Sequence, residues 1–288
     1  MIREEEKMII EILEFIIYSV LIVIIAKYAL VTILRKLAES MNLSARVVGN
    51  IAGIATSVPE LLTVCFSAVA GLIGTSIYNI LSSNIINLVQ YIFSVFTSKN
   101  QKVLNNRAIR IDLILVLFTI IIPLFILAIN IEIKLEILPI FFLLFFLFYY
   151  INNNTHKLYL KKQTKEIEKE TSEEAKWVRG KTRVKVKYLL LLVIASVSLY
   201  IVGNALSSSL ENLAEVFNIS ELFLGIALGF ITSIPELITF YESQKHYKNK
   251  KNEELGVIEA TNNLLTSNIL NLFIIQNIGI IIYSFINK

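Results

Sequence analysis

Residues 53–63 read GIATSVPELLT, and residues 229–239 read GFITSIPELIT. The two segments carry glycine, threonine, serine, proline and glutamate at the same spacing, and each lies inside a long apolar stretch. A carboxylate and a proline are both costly within an apolar membrane segment. Their duplication at equivalent positions therefore indicates a binding site that is built from two halves of the chain.

The composition places the chain in a lipid bilayer. Of its 288 residues, 55% are hydrophobic, and the mean hydropathy is +0.67, well above the range of soluble domains. A helix needs about 20 apolar residues to cross the hydrocarbon core, so stretches of this length predict an all-α integral membrane protein with about eight transmembrane helices. The predicted helices are 10–34, 43–70, 73–97, 111–129, 133–151, 187–209, 217–241 and 257–285.

The basic residues predict the orientation of these helices. Of 27 Lys and Arg residues, 22 lie in four connections, 35–46, 98–110, 152–187 and 242–254. The positive-inside rule assigns these connections to the cytoplasm and the N-terminus to the outside. The two repeated segments then run in opposite directions. This predicts two inverted membrane repeats, 1–151 and a shorter 188–288, joined by a cytoplasmic linker at 152–187.

Several functional classes are excluded by the same observations. The net charge of +4 reflects orientation in the membrane and not nucleic-acid binding. The first apolar run lacks a small-residue cleavage site, so we expect a retained helix and not a removed signal peptide. No pair of nucleophile and base is repeated in the membrane, which argues against an enzyme. A short chain without a large regulatory insert is most typical of a prokaryotic cell membrane.

The repeated segments supply oxygen ligands at helical spacing. Thr56 and Ser57 precede Glu60 by four and three residues, so their side chains approach one helix face. Pro59 lacks an N–H group, and this releases backbone carbonyls near Ala55 and Thr56 as further ligands. The second copy offers the same set, namely Thr232, Ser233 and Glu236.

A second motif follows each repeated segment. Residues 83–88 read SNIINL and residues 267–272 read SNILNL, which adds Ser83 with Asn87 and Ser267 with Asn271, each pair four residues apart. Carboxylate, hydroxyl and amide oxygens without a histidine or cysteine cluster suit Ca²⁺ or Na⁺ and not zinc or copper. Two facing glutamates balance the charge of one divalent ion, and protons are expected to compete with it.

At these residues the chain resembles the calcium:cation antiporters, specifically the sodium/calcium exchanger branch. The two repeats of that family carry a Gly-Thr-Ser-x-Pro-Glu core followed by a Ser-Asn-x-x-Asn/Asp segment, and the resemblance covers roughly residues 43–90 and 217–273. It implies secondary active exchange of Ca²⁺ for Na⁺ by alternating access, with these ions as bound cargo and without a cofactor. It places Glu60 and Glu236 at the centre of the site. The implied ligands around them are side chains of Thr56, Ser57, Ser83, Asn87, Thr232, Ser233 and Ser267, and backbone oxygens near Gly53 and Gly229.

Two departures from the family pattern change what we expect. Asn271 stands where the second repeat commonly has an aspartate, so the site carries two obvious carboxylates instead of three. The chain also ends seventeen residues after Asn271, so the last two of the family's ten helices are expected to be missing. A homodimer contact or a partner subunit is one way to cover the flank that these helices leave.

Two other readings of the same residues stay open. The first is exchange of Ca²⁺ or another cation against H⁺ or K⁺, because a site with two glutamates is able to load protons. The second is a sensor that binds cations without moving them.

Overall fold

A computed structural model describes residues 2–25, 28–29, 32–33, 36, 44–128, 135–154, 182–217, 220–249 and 252–286. These residues form helices and short connections, and they contain no strand. Eleven α-helices follow in chain order: α1 Ile2–Ile25, α2 Ala45–Thr56, α3 Val58–Val69, α4 Ile73–Thr97, α5 Arg107–Ala128, α6 Leu135–Asn154, α7 Thr182–Phe217, α8 Glu221–Thr232, α9 Ile234–Asn249, α10 Glu253–Leu270 and α11 Gln276–Ile286.

Seven helical segments in the described part of the chain are long and apolar enough to cross a membrane. This confirms the predicted all-α membrane fold. The seven segments are Ala45–Val69, Ile73–Thr97, Arg107–Ala128, Leu135–Asn154, Val186–Leu206, Glu221–Lys248 and Glu253–Ile286. In addition, α1 is a 24-residue helix at the place of the first predicted one, but it begins at Ile2 and not at residue 10. Residues 155–181 of the predicted linker lie outside the described residues.

Two of the membrane segments are broken in the middle, as their composition predicts. The first break is at Ser57, between α2 and α3, and the second is at Ser233, between α8 and α9. In each case proline is the second residue of the following helix, where its missing N–H costs no hydrogen bond within that helix. The next residue is the glutamate. Both glutamates therefore lie in the first turn of a helix, where the helix dipole favours negative charge.

The half-helices that precede the breaks pack across the molecule. Helix α2 packs against α10 from the other repeated region, and α8 packs against α4 in the same way. Glycines make the approach possible: a Cβ atom on Gly53 would lie 2.7 Å from the backbone oxygen of Asn263, and one on Gly229 would lie 2.9 Å from that of Asn79. This crossed packing brings each break beside the second motif of the opposite half.

Apolar clusters hold this arrangement from two sides. Aromatic rings of α4, α6 and α9 and of the segment after α10 form edge-to-face pairs, including Tyr91 with Phe240 and Phe141 with Phe273. On the other side, α1 and α7 pack chiefly on each other around Ile22, Leu199 and Leu206. Large apolar side chains on α5 and α6 are exposed, as expected for surfaces that face lipid.

Candidate cation site

Two fully buried carboxylates form the centre of the candidate site. Glu60 and Glu236 each have an exposed fraction of 0%, and they are close enough to repel each other as like charges. Glu236 Oε1 accepts a hydrogen bond of 3.1 Å from Ser267 Oγ. Within the described residues, Glu236 Oε2 and both oxygens of Glu60 have no hydrogen-bond partner. Buried acceptors of this kind are costly unless a cation or a proton satisfies them.

Hydroxyl groups reach each carboxylate from both halves of the molecule. The hydroxyl groups beside Glu60 belong to Ser83, from its own half, and to Thr232, from the opposite broken helix. Glu236 is flanked in the same way by Ser267 and Thr56. Each carboxylate therefore has a threonine hydroxyl from the other repeat beside it, so both halves of the chain contribute to the surroundings of each glutamate.

The two break serines are placed alike but bonded differently. Ser57 Oγ lies 2.9 Å from the carbonyl oxygen of Gly53 and 2.9 Å from Ser267 Oγ, so its single proton has an acceptor on either side. Ser233 Oγ is buried without a partner in the described part of the chain. In the second half it is Ser83 Oγ that donates to the carbonyl of Gly229, at 3.3 Å. At the second break, the hydroxyl of Ser233 is therefore without a partner among the described residues, whereas the equivalent hydroxyl of Ser57 is hydrogen-bonded.

The carbonyl oxygens of Gly53 and Gly229, which the resemblance implies as ligands, already accept hydrogen bonds within the protein. Each accepts a backbone hydrogen bond of 3.2 Å, from Ser57 N and Ser233 N respectively, so the helical ladder continues to the break. The carbonyls that lose their helical donor are those four residues before each proline, because proline has no N–H group. Close helix packing is the clearest structural requirement for glycine at these two positions.

Four asparagines join the second motifs across the molecule. The amide of Asn84 donates to the backbone oxygen of Asn268 at 3.3 Å, and the amide of Asn268 donates to that of Asn84 at 3.1 Å. Asn87 Nδ2 donates to Asn268 Oδ1 and Asn271 Nδ2 to Asn84 Oδ1, at 3.3 and 3.2 Å. The Oδ1 atoms of Asn87 and Asn271 are buried without partners among the described residues, so both remain available as ligands.

The sequence interpretation missed some of these polar residues. Asn84 and Asn268 form the reciprocal pair, while Asn79 Oδ1 and Asn263 Oδ1 accept from Thr232 and Thr56 at 3.5 and 3.3 Å. A signal for them was present, because Asn79 and Asn263 each precede a motif serine by four residues. The repeated pattern is therefore Asn-x-x-x-Ser-Asn-x-x-Asn and not only its second part.

All twelve residues that the sequence singles out lie in this buried region between the two breaks. Among the described residues, no group of three or more His, Cys, Asp or Glu side chains is arranged to hold a metal ion. The candidate site therefore combines two carboxylates with hydroxyl and amide oxygens. This donor set matches hard cations such as Ca²⁺ and Na⁺.

Comparisons with known proteins agree with this architecture. A family model described as "Sodium/calcium exchanger protein" matches residues 12–153 and 187–288. A structure of the sodium-calcium exchanger NCX_Mj soaked with 10 mM Na⁺ and zero Ca²⁺ is similar, with a TM-score of 0.53 and 21% identity over 96% of this chain and 83% of that chain. A second NCX_Mj structure, soaked with 2.5 mM Na⁺ and 0.1 mM Ca²⁺, has a TM-score of 0.51 and 22% identity over 93% and 82% of the two chains.

A search among curated proteins found no match. At these identities, the likeness to the solved structures shows a shared fold. The family match goes further because it spans most of the chain. The chain belongs to the sodium/calcium exchanger protein family, and it is a cation exchanger and not an enzyme.

Proposed function

We propose that this chain exchanges Ca²⁺ for Na⁺ across the membrane by alternating access. The observation that carries the proposal is the pair Glu60 and Glu236, both fully buried, with three of their four oxygens unsatisfied by the described residues. Removing an ionised carboxylate from water without compensation costs several kcal/mol, and two adjacent carboxylates add mutual repulsion. A bound cation offsets both costs.

Exchange follows if the two ions compete for the same oxygens. One Ca²⁺ or two Na⁺ balance the charge of two carboxylates. Both ions accept hydroxyl and amide oxygens as ligands, and Ca²⁺ does so at about 2.3–2.6 Å. Because Ser83, Thr232, Thr56 and Ser267 already surround the carboxylates, occupation by one ion removes ligands that the other needs. Ca²⁺ then leaves only when Na⁺ replaces it.

Alternating access needs one part of the molecule that moves against another. The candidate site is held by α2–α4 and α8–α10, which are linked by the crossed glycine contacts and by the four asparagines. Helices α1 and α7 pack chiefly on each other and contact this core through a smaller surface, which includes Gly203 against Leu62 and Phe66. We propose that the α1–α7 pair moves relative to the core and opens the site to each side in turn.

The experiment is uptake of ⁴⁵Ca²⁺ into proteoliposomes that are preloaded with Na⁺. Parallel liposomes loaded with K⁺, and liposomes with an imposed pH gradient, identify the driving ion. We expect uptake that requires internal Na⁺ and that is absent with Glu60→Gln. Uptake driven only by the pH gradient would move the assignment to cation/H⁺ exchange. Saturable Ca²⁺ binding without countertransport would move it to a sensor.

A further inference from the structure

Helix α1 contains a buried carboxylate away from the candidate cation site, that of Glu11. Its side chain is 8% exposed, whereas the neighbouring side chains of Ile9, Ile12 and Leu13 are 38–53% exposed. The apolar neighbours face outward, as expected for a helix in contact with lipid. Glu11 therefore faces inward, toward another part of the molecule. A carboxylate buried within a membrane helix is costly unless a polar partner satisfies it.

The partners of Glu11 lie on α7. Asn212 Nδ2 lies 3.1 Å from Glu11 Oε1 and 3.0 Å from Glu11 Oε2, so one amide group contacts both carboxylate oxygens. About one turn earlier on α7, Ser209 Oγ donates to the backbone oxygen of Glu11 at 3.3 Å. Residues three apart share a helix face, so α7 presents both donors to the same position of α1. We call Glu11, Ser209 and Asn212 the clasp.

The rest of the contact between α1 and α7 is apolar. Ile22 of α1 packs with Leu199 and Leu206 of α7, and all three side chains are fully buried. Lipid tails are as apolar as these side chains, so their packing alone gives little preference for one helix arrangement over another. Glu11 precedes Ile22 by eleven residues, which corresponds to about 16 Å along a helix. The clasp thus fixes the position of α1 on α7 at a second level, and it does so with directional bonds.

The contact of this pair with the core has a different character. Helix α7 meets α3 at Gly203, where an added Cβ atom would lie 3.4 Å from Leu62 Cβ. Beside it, the rings of Tyr200 and Phe66 have their centroids 5.6 Å apart. For the described residues of α1 and α7, no hydrogen bond joins either helix to α2–α4 or α8–α10. Packed helices slide past each other most readily where no directional bond must break.

We propose that the clasp makes α1 and α7 a single moving unit, with Glu11, Ser209 and Asn212 as positioning residues for exchange. The proposal rests on the proposed function, in which this pair moves against the core. Because α1 packs chiefly on α7, movement of one helix reaches the other through their shared contact. Loss of the clasp lets one helix move without the other. This slows the opening of the candidate cation site and leaves its ligands in place.

Na⁺-dependent ⁴⁵Ca²⁺ uptake into proteoliposomes separates slower movement from weaker binding. We expect Glu11→Ala and Asn212→Ala each to lower the maximal rate about tenfold, with the half-saturating Ca²⁺ concentration within about twofold of the unmodified chain. The double variant is expected to be no slower than either single variant, because both changes remove the same bond. Glu11→Gln keeps an acceptor for Asn212 and is expected to keep most of the rate. Unchanged rates, additive losses or a raised half-saturating concentration would contradict the clasp.

Covalent links test whether the pair moves as one unit. In a Cys65→Ser background, Glu11→Cys with Asn212→Cys removes the clasp, and a short bifunctional thiol reagent then replaces it. We expect the link to restore exchange. The matched link between Leu62→Cys and Gly203→Cys joins the pair to the core, and we expect it to abolish exchange that is present before linking. Exchange blocked by the first link, or unaffected by the second, would overturn the proposal.

Spin labels give a measurement that does not depend on transport. Ile9→Cys on α1 and Ser208→Cys on α7 place labels at two exposed positions near the clasp. We expect one narrow distribution of distances between them, which broadens in Asn212→Ala and stays narrow in Glu11→Gln. Equal widths in all three proteins would contradict the clasp. If the unmodified chain shows no Na⁺-dependent exchange, the proposed function fails, and the spin labels still decide whether the clasp holds α1 on α7.

Discussion

The two repeats are alike at the centre of the molecule and differ away from it. At the centre, each glutamate lies in the first turn of a half-helix, beside a serine from its own half and a threonine from the other. Eight residues before the serine of the second motif, the first repeat has Thr75 and the second has Glu259, both of them buried. Around the two glutamates, both halves therefore provide the same kinds of oxygen. At Thr75 a carboxylate comes instead from the other repeat, because the backbone N–H of Thr75 donates to Glu221 Oε2 at 2.9 Å.

A second difference lies in the helices themselves. Helix α4 is continuous from Ile73 to Thr97, whereas α10 ends at Leu270 and is followed by a π-helical segment, Asn271–Ile275, before α11 begins. Single π-helical turns are frequent at functional sites because they change the direction of side chains without ending the helix. Here the π-helical segment starts at Asn271, the residue that departs from the family pattern.

The largest expected effect comes from removing either central charge. Glu60→Gln and Glu236→Gln keep the side-chain shape but remove one of the two charges that hold the cation. We expect each to reduce Na⁺-dependent ⁴⁵Ca²⁺ exchange at least about 100-fold, because loss of one buried charged partner typically costs about 3–5 kcal/mol. If both glutamates hold the same ion, the two variants lose exchange to the same extent. Normal exchange in one variant would show that the centre is not shared.

The crossed helix packing is tested at the glycines. In Gly229→Ala, the new methyl group would lie 2.9 Å from the Asn79 carbonyl and from Ser83 N, both backbone atoms. We expect a loss of about 1–3 kcal/mol in the free energy of unfolding, measured by denaturant titration in detergent. Gly203→Ala is the matched control, because the nearest atoms to its Cβ are Leu62 side-chain atoms at 3.4 Å. Its stability is expected to be unchanged or higher by about 0.5–1 kcal/mol. Equal losses in both variants would contradict a specific close approach at Gly229.

The four asparagines allow a charge to be added symmetrically. Asn271→Asp replaces an unsatisfied amide oxygen with a carboxylate and loses one hydrogen bond to Asn84 Oδ1. We expect Ca²⁺ binding to tighten about tenfold, since the added charge outweighs a hydrogen bond worth about 1 kcal/mol. Asn87→Asp is expected to match it. Calorimetric titration that finds tighter binding in only one of the two variants would limit the symmetry to the glutamates.

The smallest expected effect separates Thr63 from Thr239, the threonines that follow the two glutamates by three residues. Thr63 Oγ1 accepts a bond of 2.7 Å from Asn79 Nδ2, whereas Asn263 Nδ2, at the equivalent position of the second repeat, has no partner within the described residues. Thr63→Val therefore leaves a buried donor unsatisfied and is expected to cost about 1–2 kcal/mol of unfolding free energy. Thr239→Val is expected to cost about half as much or less. Identical costs in the same denaturant titration would show that the Asn79 bond adds no stability.

The sequence predicted the fold class and the residues of the candidate site, because both depend on local patterns. Apolar length reports membrane helices, and spacings of three and four residues report a shared helix face. The ends of the helices were predicted less well. Helix α9 continues to Asn249, since Gln244, Lys245 and Lys248 are good helix formers although they are polar.

What the sequence did not predict is which helices meet. Spacing shows that Thr56 and Glu60 share a face, but it does not show that Thr56 serves Glu236 of the opposite repeat. That pairing depends on the close contacts at Gly53 and Gly229, which the family resemblance had implied only as backbone ligands. The burial of Glu259 was missed for a related reason, because it depends on the packing of α9 against α10, where Ser243 donates to Glu259 Oε1.

We expect one Ca²⁺ to bind between Glu60 and Glu236 with ligands from both repeats. A crystal structure of the Ca²⁺-soaked protein, with the ion located by anomalous scattering, shows whether it does. The expected peak lies about 2.3–2.6 Å from oxygens of both glutamates, with at least one hydroxyl ligand from each half. A peak bound to one glutamate alone, or ordered Ca²⁺ only at sites away from both, would contradict it.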